Sequence, residues 1–325
     1  MTSASAAPID ADIAPKTVRA DRYPEHWTPF ADGVAGLPNV VYSTLRGYRP
    51  LQLDIYRRNE PSIGQALPLV VWIHGGGWSR GDSRTNAAFA NFPSVLASLA
   101  ARGYVVASVN YRLSAEARFP AAIQDVKAAI RFLRANASRF GIDPARVLVW
   151  GGSAGGQLAA LVAASCGVAA LEPPVLAHPS GEPLTYNPDP AILDSVQGAV
   201  TWYGVFDLQS FASSQTTVSP AVLSNYLGCD PKECPEVVAS ASPVTYVDHR
   251  TPPMLLIHGT QDTEVSVTQA DIMEARLQSA QVPVTKLLIP GVDHGFIGPD
   301  LQTTRAASLL ALRCTFEFID ATLAR

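Results

Sequence analysis

What constrains this chain most is a repeated pattern: a short apolar run, a glycine or proline turn, then a stretch with helical spacing. Leu67–Ile73 (LPLVVWI) is almost wholly apolar, with a proline near its start and glycines directly after it. Such a run suits a strand buried on both faces, where no polar alternation is required. Tyr104–Asn110, Val147–Trp150, Val196–Tyr203, Met254–His258 and Val284–Ile289 repeat the pattern. Helices are predicted between them at Ala87–Ala101, Ala121–Arg139, Gln157–Ala164 and Thr268–Ala280, with a last one through Ala306–Ile319. In the second of these, Ile123, Val126, Ile130 and Leu133 fall on one face and Gly141 supplies a stop. Strands alternating with helices imply an α/β fold: a mostly parallel, twisted sheet with helices on both faces.

Val40–Ser43 and the alternating LQLDIY of Leu51–Tyr56 read as a strand pair ahead of this core. Residues 1–37 are polar and proline-containing and read as an N-terminal arm that adds to a cap, with Tyr23, Trp27 and Phe30 as docking points. Residues 38–325 then form one domain, since no linker separates halves that could fold alone and no repeat is evident. Two irregular stretches, near 167–195 and 207–248, read as small cap insertions.

A hydrophobic fraction of 47% with 16% charged residues places the chain among ordinary globular proteins rather than disordered ones. The net charge of -4, without any run of Lys or Arg, leaves no footprint for nucleic acid or an anionic membrane. No apolar stretch is long enough to cross a bilayer. The N-terminus lacks the charged start and apolar centre of a secretory signal, which favours the cytoplasm; a trimmed signal would instead place the protein outside it. Cys229 and Cys234 bracket CDPKEC, a spacing that suits either a small disulfide loop or two reduced thiols. With no second close Cys pair and no ligand-spaced His pair, no metal site is expected.

Gly151-Gly152-Ser153-Ala154-Gly155 contains G-x-S-x-G, a motif that chance alone could provide. Its setting is informative: VLVW precedes it and a small-residue helix follows, the strand–turn–helix context that lifts a serine Oγ above a sheet. A dinucleotide-binding loop would need glycine in place of Ser153 or Arg80, and no phosphate-binding G-x-x-x-x-G-K-[ST] exists. His74-Gly75-Gly76-Gly77-Trp78 follows another buried strand. Consecutive glycines let backbone N–H groups turn toward a developing oxyanion, and Gly76 and Gly77, joined by Ala154, are the expected donors.

A nucleophilic Ser153 needs a base, and six histidines compete. His74 belongs to the glycine loop, His26 to the arm, His178 to an insertion and His249 to a loop before a strand, while His258 ends a strand too early in the order. His294, on a loop after the last strand, has the right place. Asp262 follows the preceding strand and its glycine turn, and is the expected acid that holds the imidazole tautomer. Glu264, Asp293 and Asp207 are its competitors. The chain order Ser153, Asp262, His294 is that of the α/β-hydrolases.

HGGGWSRGD, VNYRL, FPAAIQDVKAAIRFLRAN, IDPARVLVWGGSAGGQLAAL, LLIHGTQD and VDHGF resemble the hormone-sensitive-lipase-like and bacterial feruloyl/acetyl-esterase-like branches of that superfamily, over roughly residues 38 to 325. The resemblance implies carboxylic-ester hydrolysis through an acyl-enzyme, on small-molecule esters with short acyl or aryl groups, without cofactor or metal. Asp262-Thr263-Glu264 in place of the D-P-L of hormone-sensitive-lipase relatives, and the short arm in place of their helical cap, favour the feruloyl/acetyl-esterase-like branch. Amide, peptide or formamide hydrolysis on the same machinery is the alternative, and a ligand-binding protein without catalysis a remoter one. Trp78, Tyr111, Trp202 and Tyr203 are candidate substrate-pocket residues. Self-association into homo-oligomers is left open.

Overall fold

The computed structural model describes residues 25–59, 66–174 and 193–324. Among these residues nine strands make one sheet: β1 (Thr28–Pro29), β2 (Val34–Ser43), β3 (Leu51–Arg58), β4 (Leu67–Ile73), β5 (Val105–Val109), β6 (Ile142–Gly152), β7 (Gly198–Trp202), β8 (Met254–Gly259) and β9 (Val284–Ile289). Their spatial order is β1-β2-β3-β5-β4-β6-β7-β8-β9. β1 to β3 join by antiparallel pairing, as does β3 to β5; from β5 to β9 every pair is parallel.

Alternate side chains of the central strands enter two cores. Leu69, Val71 and Ile73 face one side, where α2 (Ala121–Ala135) and α4 (Ala154–Ala164) cover the central strands and α8 (Thr268–Ser279) covers β8 and β9. Val70, Trp72, Trp150 and Trp202 face the other, under α1 (Phe92–Ala100) and α9 (Leu301–Leu323). Period-two alternation explains why a continuous apolar run is needed: both faces of each strand are buried.

From β4 the chain moves outward to β5, then crosses back past β4 to β6. Strand order therefore reverses between β4 and β6. The loops leaving these two strands diverge at their carboxyl ends, where open α/β sheets form a crevice.

Several boundaries differ from the sequence expectation. α1 starts at Phe92 rather than Ala87, because the Asn91 side chain accepts the Ser94 N–H and Pro93 lies in the first turn. Residues 86–91 are thereby left as loop. The expected 121–139 helix breaks at Asn136, where φ is -107°, and restarts as α3 (Ala137–Phe140). β6 starts at Ile142, and α4 directly follows Ser153. The sheet also reaches into the expected arm: β1 and the start of β2 precede residue 38 and pair within it. Trp27 lies under the Arg57 guanidinium at 4.7 Å, and Phe30 meets Tyr56 edge-on at 5.4 Å. Tyr23 lies outside the described residues.

Of the first irregular stretch, residues 175–192 lie outside the description. Its flanks converge on α2: Lys127 Nζ is 3.0 Å from Glu172 and 3.6 Å from Asp194, and Arg131 contacts both carboxylates. The second stretch folds into α5 (Leu208–Ser213), α6 (Pro220–Leu227) and α7 (Pro235–Ala241). Cys229 and Cys234, between α6 and α7, are disulfide-bonded.

Candidate active site

Ser153 sits between β6 and α4 with φ 56° and ψ -122°, a backbone conformation that L-residues rarely adopt. The strain is held from both sides. Ser153 N–H donates to Trp202 O on β7 at 2.8 Å, and its C=O accepts the Gln157 N–H at 3.0 Å. Close packing beneath the turn requires glycine: a Cβ on Gly155 would lie 2.1 Å from Ile73 O at the end of β4. The loop after β4 is equally constrained. Gly76 has φ 108°, and a Cβ there would lie 2.2 Å from Arg80 O.

His294 lies in the short turn after β9 and Asp262 in the one after β8. Ser153 Oγ and His294 Nε2 are 2.9 Å apart, and His294 Nδ1 is 2.8 Å from Asp262 Oδ2. Because a carboxylate only accepts, Nδ1 carries the hydrogen and Nε2 is free to take the serine proton. The Asp262 side chain is fully buried, while His294 retains 14% exposure toward the pocket. Asp262 Oδ1 accepts the N–H groups of Glu264 at 3.0 Å and Val265 at 2.8 Å. Burial works against the Asp262 charge, but hydrogen bonds from His258 and His294 outweigh it and hold the carboxyl down at about 2.

The other acids have different work. Glu264 comes no nearer than 3.9 Å to His294, and on the Nε2 side that faces serine. Asp293 accepts the His294 and Thr263 N–H groups, each at 2.7 Å, tying the base and acid turns together. Asp207 caps α5. Among the remaining histidines, His74 is buried against Tyr111 at 4.3 Å, its Nδ1–H donating to Gly75 O at 2.7 Å. Burial lowers its pKa to about 4, so it stays neutral and braces the glycine loop. His26 and His249 are exposed, and His178 lies outside the described residues.

A cavity of about 650 Å³ opens over Ser153 and His294. Gly76, Gly77 and Ala154 all line it, and among the described residues none of their N–H groups has an acceptor. They are unpaired donors on residues of the same cavity as Ser153, a supply that an oxyanion formed there would need. Of the four aromatic pocket candidates, Tyr203 lines the cavity, its ring 4.6 Å from His294. Trp78 also borders it, though its side chain is buried, stacked on Tyr226 and donating to Gln157 Oε1 at 3.0 Å. Tyr111 and Trp202 do not reach it. Tyr111 donates its hydroxyl to His74 O, and Trp202 packs in the aromatic row with Trp72 and Trp150, its Nε1–H bonded to Thr315 on α9.

Several wall residues are marked by no motif in the sequence. Val205, Phe211, Val218 and Val222 supply an apolar part, and Arg80, Thr85, Asn86 and Glu264 a polar part. The α5–α6 residues carry no motif, although they fall in the expected 207–248 insertion, and Thr85 and Asn86 precede a predicted helix; Arg80 lies inside HGGGWSRGD and Glu264 two residues past LLIHGTQD. Among the described residues no group of His, Cys, Asp and Glu is arranged to hold a metal ion.

The BD-FAE family model matches residues 53–277. The chain belongs to the BD-FAE family. Its relatives include the Mycobacterium tuberculosis proteins esterase LipQ, 30% identical over 82% of this chain, and esterase LipC, 35% identical over 78%. The chain spans less than two thirds of those relatives, 58% of LipQ and 59% of LipC. A solved truncated form of a carbohydrate esterase from gut microbiota is similar over 91% of this chain and 99% of its own, with 27% identity and a TM-score of 0.73. The architecture of this BD-FAE member is accordingly the α/β-hydrolase fold.

Proposed function

We propose that this BD-FAE member is a serine carboxylesterase working through an acyl-enzyme. The observation that carries the reading is the continuous relay from Ser153 Oγ through His294 to a buried Asp262, at 2.9 and 2.8 Å, beside three unpaired backbone donors. Ser153 attacks the ester carbonyl while His294 Nε2 takes its proton. The tetrahedral oxyanion is held by the Gly76, Gly77 and Ala154 N–H groups. His294 then gives its proton to the departing alcohol, and water activated by the same nitrogen releases the acid. Asp262 stays ionised throughout and stabilises the imidazolium.

A cavity of about 650 Å³ with Val205, Phe211 and Val222 on its wall suits short acyl or aryl groups. Arg80, Thr85, Asn86 and Glu264 give the same cavity hydrogen-bonding capacity that a hydroxyl-rich alcohol could use. The likeness to a structure described as a carbohydrate esterase supports including acylated sugars among the substrates tested. The decisive experiment is turnover of p-nitrophenyl acetate by wild type and Ser153→Ala, with fluorophosphonate labelling of the same samples. Loss of both turnover and label in a folded Ser153→Ala protein is expected; undiminished turnover defeats the assignment. An acyl-chain series with feruloyl and acetylated-sugar esters, and matched amides, then sets the substrate range.

Among the described residues no helix is long and apolar enough to cross a membrane. The Cys229–Cys234 bond supports an oxidising compartment.

A further inference from the structure

His258 lies four residues before Asp262, near the end of β8, and is 1% exposed. Its Nε2 is 2.9 Å from Val265 O and 3.1 Å from Asp262 Oδ2, the same oxygen that receives His294 Nδ1. Both neighbours are acceptors, so Nε2 carries a hydrogen whatever the charge of the ring. That N–H is directed at the carbonyl with the carboxylate oxygen beside it, a three-centre arrangement. The Val265 N–H in turn donates to Asp262 Oδ1 at 2.8 Å. His258 thus grips the acid turn twice: directly at Oδ2, and through Val265 at Oδ1.

We propose that His258 is a positioning residue for the reaction, fixing the direction of the Asp262 Oδ2 lone pairs toward His294 and sharing part of that oxygen's negative charge. This rests on the esterase reading above. Hydrogen bonds around a carboxylate that supports an imidazole tune the imidazole's basicity, as they do for ligating histidines. Without the His258 donor, more of the Oδ2 charge falls on His294, and its imidazolium becomes easier to form. The other groups facing His294 are Glu264 near Nε2, the Tyr203 ring, Asp293 on its backbone N–H and Ser153 on Nε2; none touches Asp262 Oδ2.

The test compares the full chain with His258→Leu, which removes the donor, and His258→Gln, whose amide can reach the Nε2 position. Histidine NMR titration gives the pKa of His294, and the pH dependence of kcat/KM on p-nitrophenyl acetate gives the acid limb. In His258→Leu the His294 pKa and the limb should both rise by about 0.5–1 pH unit. Its kcat should fall about 5–10-fold while KM stays within about two-fold, because a carboxylate no longer held in direction orients the imidazole less well, and this outweighs the gain in basicity. His258→Gln should return both to near wild type. A His294 pKa in His258→Leu that is unchanged or lower overturns the proposal. So does a His258→Gln protein displaced as far as His258→Leu, which would mark a packing role. If His258→Leu does not fold, His258→Gln alone decides: a wild-type titration supports the role and a displaced one refutes it. The NMR titration needs no turnover, so a failure of the Ser153→Ala experiment would defeat the esterase reading while leaving the place of His258 measurable.

Discussion

Beneath Ser153 the backbone is held by strand pairing and glycine packing, whereas the wall around Val222 consists of short helices placed by their side chains. The floor is built from strand ends. Glycines there abut neighbouring backbone carbonyls, as Gly155 abuts Ile73 O at the end of β4, and the Ser153 N–H is bonded to β7. The wall is α5 and α6, six and eight residues long, with Phe211 and Val222 reaching the cavity. On α6, Tyr226 stacks on Trp78 at 4.3 Å and accepts a bond from Gln157 Nε2 at 3.3 Å, while Gln269 Oε1 accepts the Phe206 and Asp207 N–H groups at the start of α5. The proposed chemistry thus sits on backbone tied into the sheet, and the proposed recognition on side chains of short helices after it.

That contrast can be broken from the floor first. Asp262→Asn leaves the shape of the turn but presents the wrong hydrogen-bonding pattern to His294, and should lower kcat by about 1,000-fold or more on a simple ester. Steady-state kinetics with a circular dichroism control for folding would measure it; a loss under ten-fold would mean that His294 is oriented by something else. Gly76→Ala should lower kcat by about 100-fold, since a Cβ at φ 108° meets Arg80 O and tilts the loop whose N–H groups are proposed to hold the oxyanion. A wild-type rate in that variant would remove the loop from the oxyanion assignment.

His74 offers a test by pH. Its burial lowers the folded pKa to about 4 from an ordinary 6.5, so between these values the unfolded chain binds more protons. Its contribution is therefore complete above pH 6.5 and is lost as pH falls toward 4, by on the order of 3 kcal/mol. Urea denaturation at pH 7.5 and 4.5 should show that slope in wild type and a flatter one in His74→Asn.

The wall should respond more gently. Opening the Cys229–Cys234 loop by changing both cysteines to serine should cost about 2 kcal/mol in stability, from the entropy of so short a loop. The same variant should keep the Ser153 chemistry, as read by p-nitrophenyl acetate turnover below its melting range. The smallest effect is expected for Val222→Ala. It widens the cavity by two methyl groups and should raise kcat/KM for longer acyl esters by about three-fold relative to acetate. An equal change for acetate and longer esters would place Val222 outside acyl recognition.

Read from the chain alone, the elements that meet at the site are those whose signals are local. Ser153 and the Gly75–Gly77 loop each follow an apolar strand, and the turns they form depend on glycines a few residues away. Asp262 and His294 were legible because each follows a strand in a fixed order, and strand order at a parallel sheet's carboxyl edge places such turns side by side. Tertiary structure alone decided what lies across from them. Trp202 sits one residue before Tyr203, yet Trp202 closes β7 within the Trp72–Trp150 row, while Tyr203, just past the strand end with φ 39°, borders the cavity. Tyr111 is claimed by the carbonyl of His74, 37 residues away in sequence. Asn86 is left at the pocket because Asn91 and Pro93 start α1 late. His258, excluded as a base by its place in the order, turns out to hold the acid, a contact made only when β8 and the turn after it fold together. Local sequence could specify backbone turns because glycine sterics act over a few residues. The partners of side chains depend on which sheet face and which neighbouring strand they meet, and that is fixed only when the whole sheet has formed.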